Sequence, residues 1–131
     1  MMRTLRHRIL VIDDEAAVRE NVMRFLRLEG YEPSEAEDGG RGIQAALRSP
    51  PDLILCDVMM PGTDGFGVLA RLRAEPATAG VPFIFLTASA DMEDARIGFL
   101  LGANEYVTKP FSLAVLGAII EQKLAASKGQ G

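Results

Sequence analysis

DLILCDVMMPGTDGF, residues 52–66, is four apolar residues between two acids, followed by two methionines and a Pro-Gly break. A short unbroken apolar run bounded by turn signals is the pattern of a strand covered on both faces, as in a parallel sheet. The same form recurs in RILVID (8–13), VPFIFLTA (81–88) and EYVTK (105–109), and more weakly in YEPSEA (31–36). Pro33 has no N–H to give a ladder, so that weak strand is expected at an edge.

Helical spacing fills the intervals. Ala16–Glu29 puts Val18, Val22, Phe25 and Leu26 on one face and stops at Gly30. Residues 38–49 turn Ile43, Ala46 and Leu47 inward and end at Pro50-Pro51. Phe66–Glu75 aligns Phe66, Leu69 and Leu72, and residues 91–102 open with acids and close at Gly102. Ser112 is placed to cap a last helix striped by Leu113, Leu116, Ile119, Ile120 and Leu124. Five strand–helix units in 131 residues predict one α/β domain with an open, mostly parallel sheet. The expected domain is 8–125, after a lead-in at 1–7 and before a disordered tail or start of a linker at 126–131.

Composition narrows the function. Apolar residues make up 48% and charged residues 24%, a globular balance. The formal charge of −4 argues against nucleic-acid binding, and the basic RTLRHR (3–8) is too short to reverse it. Cys56 is the sole cysteine and His7 the sole histidine, which excludes a disulfide framework and the usual zinc sets. No apolar run reaches membrane-spanning length and no signal peptide opens the chain, so a cytoplasmic setting off the membrane is expected.

Open parallel sheets bind ligands beyond the carboxyl ends of their strands. Asp13 and Asp14 stand at that end of the first strand, Asp57 at the third, Thr87 at the fourth, and Lys109 with Pro110 at the fifth. Three clustered carboxylates repel one another unless neutralised. Lys109 offsets one charge, and a hard divalent cation held by oxygen ligands, Mg²⁺ or else Mn²⁺, offsets two more. A metal, an ammonium and a hydroxyl together suit a phosphoryl group. With no glycine-rich nucleotide cradle in the sequence, the simpler chemistry is attack by one carboxylate on phosphorus to give an aspartyl phosphate.

The segments ILVIDDE (9–15), DLILCDVMMPGTDGF (52–66), FLTA (85–88) and GANEYVTKPF (102–111) closely resemble the receiver domain of bacterial two-component response regulators. The resemblance spans about Arg8 to Leu124. It implies a flavodoxin-like three-layer sandwich of five parallel strands, in the order 2-1-3-4-5, with five helices. It implies that Asp57 is the phospho-acceptor, that Asp13, Asp14, Asp57 and the Met59 backbone carbonyl hold Mg²⁺, and that Lys109 pairs with the phosphoryl group. Thr87 and Tyr106 resemble the family's switch pair, and Lys109–Pro110 its cis peptide. Met59 and Ser89 occupy the two rim positions that tune attack by water; neither orients water well, so slow self-dephosphorylation is expected.

The implied donor is a phosphohistidine on a sensor histidine kinase or phosphotransfer protein, with the first helix near Val18–Phe25 as its docking face. The implied output is the face of the fourth helix, fifth strand and fifth helix, residues 91–124, toward an effector or a second copy. The chain would be a signalling phospho-acceptor rather than an enzyme, either stand-alone or cut from a larger protein. Two rivals are weaker: a receiver-like interaction module independent of phosphate, and a Mg²⁺-dependent aspartyl-phosphate phosphatase, which would want an acid where Met59 stands. Asn104 and Glu105 depart from the two aspartates more usual there.

Overall fold

All five apolar runs pair in parallel in a computed structural model that describes residues 6–129. In chain order the elements are β1 (Arg8–Ile12), α1 (Ala16–Leu28), β2 (Glu32–Ala36), α2 (Gly39–Arg48), β3 (Leu53–Cys56), α3 (Gly65–Arg73), β4 (Phe83–Thr87), α4 (Met92–Leu100), β5 (Glu105–Thr108) and α5 (Leu113–Gly129). The sheet order is β2-β1-β3-β4-β5. Pro33 therefore sits on an edge strand, opposite Ile9 of β1.

Side chains alternate across the sheet and give each face its own core. Leu10, Ile12, Ile54, Cys56, Phe83 and Phe85 point one way, onto Val68, Leu69 and Leu72 of α3 and Ala46 of α2. Ile9, Val11, Leu53, Leu55, Ile84 and Leu86 point the other way, onto Val22, Met23 and Leu26 of α1 and Leu116, Ile120 and Leu124 of α5. Phe85 knits the first layer together, with its ring 5.5 Å from Phe66, 5.0 Å from Phe83 and 5.9 Å from Tyr106. The central strands are wrapped on both faces; β5, on the far edge, is less deeply buried, with Tyr106 against one core, Val107 against the other and Thr108 exposed.

Local chemistry sets the helix ends. Asp38, Asp64 and Asp91 cap α2, α3 and α4 by accepting from Arg41, Gly67 and Glu93 N–H groups at 2.8, 2.9 and 2.8 Å. Helix α1 stops where Gly30 adopts φ +88°, which lets the Tyr31 N–H reach back to the Leu26 carbonyl at 3.0 Å. The last helix overruns the boundary drawn at residue 125 and continues to Gly129, because Ala125, Ala126 and Lys128 favour helix and nothing before Gly129 breaks it. Of the lead-in, residues 1–5 lie outside the described residues, as do 130–131 of the tail. Among the described residues no helix is long and apolar enough to cross a membrane.

Candidate functional site

Register places the acids side by side. Ile12 pairs with Cys56, so the residues that follow, Asp13 and Asp57, leave neighbouring strands together, and the Asp57 N–H donates to the Ile12 carbonyl at 3.0 Å. Thr87 pairs with Thr108 on the next pair of strands, which puts Lys109 at the same rim; its N–H donates to the Thr87 carbonyl at 2.7 Å. The Lys109–Pro110 peptide that follows is cis.

The side chains converge. One carboxylate oxygen from each of Asp13, Asp14 and Asp57 lies within 4.8 Å of the others. Asp13 and Asp57 are buried, at 3% and 4% exposure, whereas Asp14 is exposed. The Lys109 ammonium donates to Asp13 Oδ2 at 3.0 Å, Asp57 Oδ2 at 3.2 Å and Glu15 Oε1 at 3.3 Å. Met59 donates its backbone N–H to Asp57 Oδ1 at 3.2 Å while its side chain stands 65% exposed at the mouth.

Charge follows from this geometry. Burial pushes the Asp13 carboxyl above the ordinary carboxylate range, against the pull of the Glu15 N–H and of Lys109; the negative charge of Asp57 pushes the same way as burial. Burial alone would lower Lys109, but its bond to Asp13 and the charges of Asp13 and Asp57 together leave the ammonium above its usual value. The pocket is thus over-supplied with negative charge even with its lysine in place. Oxygen-only, carboxylate-rich donors fit a hard divalent cation and suit neither zinc nor copper. Cys56, next to Asp57, is fully buried and its thiol is pushed well up, which makes it an inert core residue.

Thr87 and Tyr106, the pair expected to act as the switch, are joined through the turn that follows β4. Thr87 is buried, and its Oγ1 accepts from the Ser89 N–H at 3.2 Å. The Ser89 hydroxyl donates to Asp94 Oδ2 at 2.7 Å, and the Ser89 carbonyl accepts from the Tyr106 hydroxyl at 2.9 Å. Ser89 therefore links Thr87, Tyr106 and the first turn of α4.

Three contacts escaped the sequence reading. Glu15 is the N-cap of α1 but makes no capping bond, because its carboxylate serves Lys109 instead. Asp94 fixes Ser89. Arg19, whose Nη1 donates to the Asp13 carbonyl at 2.7 Å, sits one helical turn after Glu15. Adjacency to DDE was the only signal for Glu15 and Arg19, and no local pattern marks Asp94.

Comparison with known proteins agrees with this geometry. The model of the response regulator receiver domain matches residues 9–121. The DNA-binding dual master transcriptional regulator RpaA of Synechocystis is 43% identical over 106 residues, 81% of this chain and 44% of that protein. The DNA-binding response regulator MtrA of Mycobacterium tuberculosis is 40% identical over 123 residues, 94% of this chain and 53% of that protein. The chain thus spans about half the length of the curated relatives it matches. Among solved structures, a CheY-like receiver domain protein of Methanospirillum hungatei superposes with a TM-score of 0.90 at 28% identity, covering 97% of this chain and all of that one.

Proposed function

This chain belongs to the response regulator receiver domain family, and from that premise we propose that Asp57 accepts a phosphoryl group from a phosphohistidine on a sensor kinase or phosphotransfer protein. The observation that carries the reading is the convergence of three carboxylates and Lys109 at the carboxyl ends of three strands. An Asp57 carboxylate oxygen attacks phosphorus, the new O–P bond forms as the N–P bond to the donor imidazole breaks, and the imidazole leaves with the bonding pair and takes a proton. Lys109 already sits on Asp57 Oδ2, where it can follow the phosphoryl oxygens as negative charge moves onto them.

Asp13, Asp14, Asp57 and the Met59 carbonyl are the residues that would hold Mg²⁺, or Mn²⁺ in its place; the donor set fits, being all oxygen. When bound, the cation supplies charge neutralisation for the transferring group. The chain's own part is to hold the nucleophile rigid at a strand end, keep Lys109 ionised beside it, and limit water.

Met59 and Ser89 hold the two positions expected to tune attack by water, and neither is an acid or amide able to orient it; the Ser89 hydroxyl is engaged by Asp94. This supports a phosphoryl group that outlasts seconds.

The donor is expected on the groove of Ala17, Val18, Val22, Pro110 and Phe111, which opens beside Lys109. Output runs through Thr87 and Tyr106 to the α4–β5–α5 face, toward an effector or a second copy.

The deciding experiment is brief incubation with an acyl phosphate and Mg²⁺, followed by intact mass measurement. A single phosphoryl adduct that disappears in Asp57→Asn is the expected result; an adduct retained in that variant, or none in the parent protein, refutes the reading. Lys109→Ala should keep the fold and still accept some phosphoryl while the amide resonances of α4 and β5 no longer respond. Decay of the adduct within seconds would contradict the assignment of Met59 and Ser89.

A further inference from the structure

We propose that Arg19 is a positioning residue for the acidic pair: its guanidinium holds the Asp13 carbonyl, in the peptide that leads into Asp14, so that the carboxylates of Asp13 and Asp14 meet that of Asp57. The inference rests on the reading that this cluster holds a divalent cation. Asp14 is exposed, and among the described residues its side chain makes no hydrogen bond, so its direction depends on the backbone on either side.

On the Asp13 side the pin is the arginine side chain, and on the Glu15 side it is an ordinary backbone bond of the first helical turn. The Arg19 guanidinium donates through Nη1 to the Asp13 carbonyl at 2.7 Å, and the Arg19 backbone N–H donates to the Glu15 carbonyl at 3.0 Å. The Asp13 N–H still donates to the Ala36 carbonyl of β2 at 3.2 Å, but among the described residues the guanidinium is the only donor to the Asp13 carbonyl.

The guanidinium is itself braced. Its Nε donates to Glu35 Oε1 of β2 at 2.6 Å, and the Arg19 side chain is only 13% exposed. The planar fork thus spans α1, the β1–α1 turn and the neighbouring strand in one rigid piece. Lysine offers a compact charge on a flexible stem and lacks the planar fork that fixes two acceptors at set angles. The part played here is orientation of a ligand from behind, the role that outer partners have at metal sites.

The test is a Mg²⁺ titration of the free protein, followed by the amide shifts of Asp14 and Asp57 and by melting in EDTA and in Mg²⁺. Arg19→Met keeps the apolar stem and should raise the Mg²⁺ midpoint roughly tenfold, while saturating Mg²⁺ restores phosphoryl loading to within about twofold of the parent. Arg19→Lys should fall between the two. A midpoint unchanged in a folded Arg19→Met protein overturns the inference, and so does a loading defect that saturating Mg²⁺ fails to repair. Should Arg19→Met not fold, Glu35→Gln removes the brace alone; it should raise the midpoint about threefold, and no change would equally overturn the inference. Because the titration uses no phosphodonor, its outcome is separate from whether Asp57 accepts phosphate.

Discussion

The Tyr106 hydroxyl donates to the Ser89 carbonyl at 2.9 Å and so ties β5 to the turn after β4, the same turn whose Ser89 N–H is held by Thr87 Oγ1. Movement of Thr87 toward a phosphoryl group on Asp57 would break its bond to Ser89 and loosen the anchor of Tyr106. Tyr106→Phe removes that anchor while keeping the ring against Phe85. It should cost about 1 kcal/mol of stability. In the unphosphorylated protein it should also shift the amide resonances of residues 88–94 toward their phosphorylated positions. Resonances that stay at the parent's positions would show that the bond plays no part in the switch.

Asp13 leads to a prediction about pH. Burial holds its folded pKa above the unfolded value of about 3.9, so the folded state favours the protonated form. Its contribution is therefore fully present below the unfolded pKa and is lost as pH rises through the folded one. At neutral pH, without metal, ionised Asp13 weakens the fold. Asp13→Asn should raise the melting temperature in EDTA at pH 7, lose that advantage by pH 3.5, and abolish most of the stabilisation by Mg²⁺. Thermal melts at the two pH values, with and without Mg²⁺, check all three; an unchanged melting temperature in EDTA would mean that the bonds from Glu15 and Lys109 fully offset burial.

Much of this was legible because parallel strands declare themselves. Leu53–Cys56 and Phe83–Thr87 are wholly buried and read as unbroken apolar runs, and the polar residue ending each run had to fall on one rim. Helix ends were less legible. The stretch of α5 beyond Leu124 follows from propensity with no stop signal before Gly129, although the small and polar residues from 126 onward resemble a tail or linker. Arg19 was hidden for a different reason: an arginine on an amphipathic helix reads as a solvated face, and only the fold shows that its guanidinium turns under the neighbouring loop.

Asn104 departs from the family's more usual aspartate, and its Oδ1 accepts from the Phe83 N–H at 2.8 Å and from Arg73 Nη2 at 3.1 Å. Among the described residues Arg73 otherwise donates only to the carbonyls of Thr78, Val81 and Gly102, and burial lowers its pKa. A half-buried guanidinium met only by neutral acceptors gains from an anion. Asn104→Asp should therefore stabilise the fold by about 0.5–1.5 kcal/mol, discounted because residue 104 is exposed. The new carboxylate would have a depressed folded pKa, so the gain is fully present above its unfolded pKa of about 4 and is lost as pH falls through the lower, folded one. Urea midpoints at pH 7 and pH 3 measure both; a gain undiminished at pH 3 would point to a cause other than charge.

Gly65 opens α3 directly under the nucleophile. A Cβ built there would stand 2.2 Å from the Asp57 carbonyl oxygen, 2.8 Å from Val58 Cα and 2.9 Å from Phe85. The first two are backbone, so the strain can be relieved only by moving the strand end that carries Asp57 or by lifting α3, whose Gly65 N–H donates to the Val58 carbonyl at 2.8 Å. Gly65→Ala should cost about 2–4 kcal/mol, at or above the usual range for overpacking because backbone cannot rotate aside. Phosphoryl loading of the fraction that remains folded should also slow, since Asp57 is displaced relative to Lys109. Gly40→Ala is the matched control, a helical position where the nearest atom to a new Cβ is Asp38 Oδ1 at 3.5 Å. It should stabilise by about 0.5–1 kcal/mol. Denaturation midpoints and loading rates for the two variants separate the effects: if Gly65→Ala behaved like Gly40→Ala, α3 would not be packed against the nucleophile's backbone as described.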